Sequence, residues 1–157
     1  MTDTIGRVLR AIALWTCACA LAGCDSGPAS VELRTDDPKV LATGAAVYLA
    51  HCAACHGARL EGQPRWRQAD AQGRMPAPPH DASGHTWHHP DQLLFDITKH
   101  GVAKAAKLKD YDSSMPAFAG VLSDAEIVAV LAWIKSQWPP GVRRHQDEVN
   151  EAARRPR

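Results

Sequence analysis

Cys52-Ala53-Ala54-Cys55-His56 is the stretch on which the reading of this chain turns. Two thiols three positions apart, followed at once by an imidazole, form the attachment signature of a covalently bound haem. Each part of the spacing has a chemical task. Two thiols on one tight turn can add to the two vinyl groups on one edge of a porphyrin. The next residue, His56, is then carried under the iron, where a ring nitrogen becomes the proximal ligand. Two other readings share the CxxC half. A zinc site needs four ligands, usually from a second CxxC or a following HxxxH pair, and neither is evident here. A redox dithiol normally follows a buried strand, whereas the residues before Cys52 are an Ala-rich run of helical character.

Working outward toward the N-terminus, residues 1–23 read as a targeting segment. Arg7 and Arg10 form a positive start, and Ala11 to Ala22 is an apolar run too short for a stable membrane span. It ends in Leu21-Ala22-Gly23-Cys24, which resembles a bacterial lipoprotein cleavage box. That resemblance implies removal of the peptide before Cys24 and acylation of its thiol. An ordinary secretory signal with an incidental Cys fits the same small residues. The cysteine count favours the lipoprotein: Cys17 and Cys19 leave with the signal, Cys24 takes lipid, and Cys52 and Cys55 take haem, so no thiol is left over. Asp25, by the same resemblance, hints at retention in the inner membrane.

Cleavage leaves 134 of the 157 residues, enough for one domain and too few for two. Removing Arg7, Arg10 and Asp3 from 18 basic and 17 acidic residues leaves 16 of each. A neutral chain gives no reason to expect nucleic acid as a partner. Residues 24–37, rich in Gly, Pro, Ser and charge, read as a lipidated tether. A first helix is expected from Asp37 or Pro38, with Leu41, Gly44, Ala45, Tyr48, Leu49 and Cys52 on one face. Another fits Pro90 to His100, with Leu93, Leu94 and Ile97 inward and Gly101 as its stop. The clearest begins at the capping box of Ser123 and Glu126 and carries the stripe Ile127, Val130, Leu131, Ile134 and Trp138. No period-2 strand is apparent, so the fold is all-α, in one domain over 38–139. The polar, charged residues 140–157 read as a flexible or peripheral tail that buries little.

This order of helix, CxxCH, middle loop and helix, Met-Pro loop and final helix resembles the class I cytochromes c over residues 38–139. The resemblance implies a fold in which the N- and C-terminal helices cross over one covalent haem c. It puts Gly44, Tyr48 and Trp133 at that crossing, where Gly lets backbones approach and aromatic rings cover the junction. Haem attachment in this family takes place outside the bacterial cytoplasmic membrane, in agreement with an export signal. The resemblance also implies a sixth ligand, a Met from the loop before the last helix. Met115, 59 residues after His56 and followed by Pro116, has that position. Met75, 19 residues after His56, is the alternative. Bis-His ligation through His80, His85, His88, His89 or His100 is a third possibility. Pro64 stands where family members often offer a carbonyl to the proximal imidazole, and Arg65, Trp66, Arg67 and Trp87 are candidates to cover the haem edge or pair with its propionates.

The function expected is one-electron transfer by a membrane-tethered monohaem cytochrome on the periplasmic side of a bacterial membrane. Partners implied by the resemblance are a cytochrome bc-type donor and a terminal oxidase or periplasmic reductase. No catalytic triad, paired carboxylate or nucleotide loop marks the chain as an enzyme in its own right. Two rivals remain: a haem subunit of an oxidoreductase, and a haem-linked copper-handling protein using the four histidines between His80 and His89.

Overall fold

A computed structural model describes residues 30–155. The proposed signal peptide and Cys24 therefore lie outside the described residues. Helix α1 spans Pro38–His51. Its start is set chemically: Asp37 accepts from the amides of Lys39 (2.8 Å) and Val40 (3.4 Å), and Pro38 occupies the first turn. A single turn, α2, follows at Ala53–His56. Helix α3 covers Asp91–His100, after a short 3-10 turn at Thr86–His88. Another single turn, α4, spans Val102–Ala105. Helix α5 spans Asp124–Ser136 and begins with the expected capping box, Ser123 and Glu126 each bonding the other's backbone. Helix α6 spans Pro140–Arg154. No strand occurs among the described residues, and the fold is all-α.

The core forms where α1 crosses α5. The expected stripe is buried in full: Ile127, Val130, Leu131 and Ile134 on α5, and Trp138 two residues past its end, are each 5 % exposed or less. On α1 the buried residues are Gly44, Val47 and Tyr48, while Leu49, expected on this face, is 64 % exposed. Five residues beyond Gly44 is nearly a turn and a half, which swings Leu49 off the stripe. A Cβ on Gly44 would stand 2.7 Å from both the carbonyl carbon of Ala129 and Trp133 Cβ. The Tyr48 and Trp133 rings lie 4.7 Å apart beside this contact. The crossing is built as the resemblance implied.

Both ends of the domain depart from the expectation. Residues 30–33 are not free tether. Leu33 is 3 % exposed; its amide donates to Asp91 Oδ2 (3.0 Å) and that of Val31 to Gln92 Oε1 (3.3 Å). Residues 140–154 are a helix packed by its amide side chains. Gln146, fully buried, donates to Asp91 Oδ1 (2.5 Å), and Asn150 accepts from the Asp91 amide (2.7 Å). Lys135, buried on α5, donates to Asp147 at 2.7 Å. Arg143 closes the end of α5 by donating to the carbonyls of Ser136 and Trp138. The inward residues of α6 are polar, so its sequence read as solvated. They are buried because each amide finds a partner.

Candidate haem site

Helix α1 runs straight into the attachment turn. Cys52 ends α1 and starts α2, and its carbonyl accepts from the amides of Cys55 (3.1 Å) and His56 (2.9 Å). Both thiols are thus held on one tight turn. Gly57 ends the turn at φ +82°, a conformation that favours glycine. The Tyr48 hydroxyl donates to the Gly57 carbonyl at 2.8 Å, fastening the far side of the turn to α1. This tie escaped the sequence reading, which saw Tyr48 only as a packing ring.

His56 is 6 % exposed. Its Nδ1 lies 2.8 Å from the Pro78 carbonyl oxygen. A carbonyl only accepts, so Nδ1 carries the proton and Nε2 keeps its lone pair. Burial lowers the pKa of this ring, and the Pro78 bond opposes that only in part, so the imidazole stays neutral and able to ligate metal. The acceptor is Pro78 and not Pro64, which is exposed. Any residue has a carbonyl, and which loop carbonyl reaches the ring cannot be read from spacing.

Cys52 is half-buried, and Cys55 is exposed. Burial pushes the Cys52 thiol pKa up to about 11, with Cys55 adding to it. A redox dithiol needs a stabilised thiolate, so this environment disfavours the thioredoxin-like reading. A protonated thiol suits addition of S–H across a vinyl group. The donor set of two neighbouring thiols and one neutral, pre-oriented imidazole fits covalent haem.

Met115 is half-buried and packs against the core. Its loop hangs from the end of α3: the Phe118 amide donates to the Thr98 carbonyl (3.0 Å), that of Ala119 to Lys99 (2.9 Å), and Phe118 is buried. Met75, 37 % exposed, lies instead in the segment tied behind His56. There Gln63 and Ala77 exchange hydrogen bonds at 2.8 Å, one residue before Pro78.

The rings of the histidine-rich loop meet other rings in pairs, His85 and His89 edge-on at 5.4 Å among them. The His80 ring stacks on His56, His85 on Trp66, and His88 on Trp87, with centroid distances of 3.9, 5.4 and 3.7 Å. Among the described residues, no group of three or more His, Cys, Asp or Glu could hold a metal ion. The aromatic and cationic candidates for the haem edge mostly cover one another: the Arg67 guanidinium lies 4.0 Å over Trp66, Trp87 also meets His145 edge-on, and Arg65 is exposed.

The family model described as "Cytochrome C oxidase, cbb3-type, subunit III" matches residues 39–134. The chain belongs to this family. It is a c-type cytochrome, a haem-c-binding redox protein, and the matched span runs from α1 through the attachment turn and the Met115 loop into α5. No curated protein and no solved structure matches the chain. No helix among the described residues of this cytochrome is long and apolar enough to cross a membrane.

Proposed function

We propose that this cytochrome is a monohaem electron carrier held at the periplasmic side of a bacterial inner membrane by lipid on Cys24, with His56 and Met115 as its axial ligands. The observation that carries the ligand reading is the Pro78–His56 bond, which leaves a buried Nε2 free for iron. Haem c supplies the one-electron couple when bound. Cys52 and Cys55 would hold its edge, and His56 and Met115 would supply the ligands to its iron. A thioether favours the reduced metal relative to a stronger donor, which raises the potential. Pro116 restricts Met115 to extended backbone and stiffens the loop that must keep a weak bond. Met75 is disfavoured because its segment is tied on the Nδ1 side of His56, away from the ligating nitrogen. His80 is disfavoured too: axial rings stand on opposite faces of the porphyrin and cannot stack on each other.

Visible spectra test the ligand set. The weak ferric Met-to-iron band is expected to vanish in Met115→Ala and persist in Met75→Ala. The reverse pattern, or an unchanged Met115→Ala spectrum, would reject Met115.

For the anchor, the support is the cleavage box together with the docked arm. With Val31 held on α3, six residues separate Cys24 from the fold, a span of roughly 20 Å at full extension. Such a short leash keeps the haem domain beside membrane-bound partners. Cys24→Ser is expected to move the protein from the membrane fraction to the soluble periplasmic fraction. Retention in the membrane would argue for another anchor.

The partners proposed are a cytochrome bc-type donor and a terminal oxidase or periplasmic reductase, met through small, transient contacts. The matched family description favours the oxidase, and it also supports a second reading in which this chain is the electron-entry subunit of such an oxidase. Co-purification in a stable complex would select the subunit; a free, oxidase-reducing monomer would select the carrier.

A further inference from the structure

His80 is restrained at its amide, its carbonyl and its ring. Its amide donates to the Leu60 carbonyl at 2.8 Å, and its own carbonyl accepts from Trp138 Nε1 at 2.7 Å. Its ring Nδ1 pairs with Thr86 Oγ1 at 2.9 Å, and Thr86 is itself buried. Leu60, the residue that grips the His80 amide, is a buried non-glycine at φ +69°. That conformation costs energy and persists only where surrounding contacts over-determine it. All of this holds one imidazole face to face with His56, at 3.9 Å between centroids and 21° between planes.

An apolar side chain would fill the same space without needing Thr86 as a partner. The chain instead keeps a half-buried polar ring and gives its Nδ1 a partner. A flat ring also does what an aliphatic one cannot: it offers a plane. The Pro78 bond fixes where Nδ1 of His56 points, but a single hydrogen bond tolerates appreciable bending. A second ring lying against the first stops the remaining swing about the axis through Nε2.

We propose that His80 is a positioning residue for the axial ligand: its stacked ring, locked by Thr86, sets the plane of the His56 imidazole and thereby tunes the iron. The proposal rests on His56 being the proximal ligand. The π face of His80 against His56 stabilises positive charge gathered on that imidazole in the ferric state, so its removal raises the potential.

The test uses the ferric holo-protein, read by the hyperfine-shifted haem methyl resonances, by electron paramagnetic resonance g-values and by reduction potential. His80→Leu is expected to redistribute the methyl shifts and raise the potential while the low-spin visible spectrum persists. His80→Phe, which restores a flat ring, is expected to return the methyl pattern toward wild type. Thr86→Val, which frees the ring, should fall between the two. A His80→Leu protein with wild-type methyl order, g-values and potential overturns the proposal. Should neither His80 variant acquire haem, Thr86→Val decides: an altered methyl pattern supports the lock, an unaltered one overturns it. A wild-type spectrum without His-ligated low-spin iron would instead sink the reading of His56, and this inference with it.

Discussion

Replacing Gly44 with alanine is expected to destabilise the protein by about 3 kcal/mol or more, although alanine is the better helix former. The intrinsic gain from Gly to Ala inside a helix is roughly 1 kcal/mol. Against it stands the position of the new methyl group, which would overlap the Ala129 carbonyl oxygen and sit 2.7 Å from Trp133 Cβ. The obstacle is backbone, not the end of a mobile side chain, so relief requires α1 and α5 to separate. Ile127, Val130 and Tyr48, none more than 1 % exposed, would then lose contact together. Overpacking of a close-packed interior costs about 1–3 kcal/mol where side chains can adjust, and more where they cannot. Out of a typical stability of about 5–15 kcal/mol, that loss is large. Denaturant unfolding of the holo-protein checks the sign; a Gly44→Ala midpoint at or above wild type would mean the two helices have room to spare.

Asp91→Ala is expected to cost about 3 kcal/mol and to loosen both ends of the domain at once. The carboxylate is 2 % exposed and accepts from the Leu33 amide on one oxygen and from Gln146 on the other. Removing it leaves two buried donors short of a partner, each worth roughly 1–3 kcal/mol when unpaired. The Asp91 amide keeps its bond to Asn150, and Gln146 Nε2 keeps a longer one to the His89 carbonyl (3.3 Å). Hydrogen exchange should therefore accelerate in α6 and in residues 30–33 before it does in α5, with the haem spectrum little changed. Were α6 a solvated appendage, exchange there would already be fast and Asp91→Ala would be nearly neutral.

Three helices were legible in the sequence because their ends carry local chemistry. The expected inward face holds only in part on two of them: Leu49 of α1 is exposed, and Leu93 and Ile97 of α3 are half-buried where Phe95 and Thr98 are buried. Asp37-Pro38 and the Ser123–Glu126 box mark two starts, and the apolar stripe of α5 is buried residue for residue. The attachment turn was legible because covalent chemistry fixes its spacing. What failed to show had no periodic apolar signal. Helix α6 turns Gln146 and Asn150 inward, and an amide that will be satisfied looks like one that is solvated. The arm did carry a faint sign, the alternation Val31-Glu32-Leu33-Arg34, of which only Leu33 is fully buried. Pro78 and His80 were hidden for a different reason: their roles depend on how an irregular loop returns to His56, and no local rule fixes that path. The turn α4 was missed because four residues are too few to show a period.

The arm and the last helix meet at one carboxylate, Asp91, which binds the arm through Leu33 and the middle of α6 through Gln146. A single buried side chain is thus the latch for the first segment and the last helix alike, and whatever strains one is felt by the other.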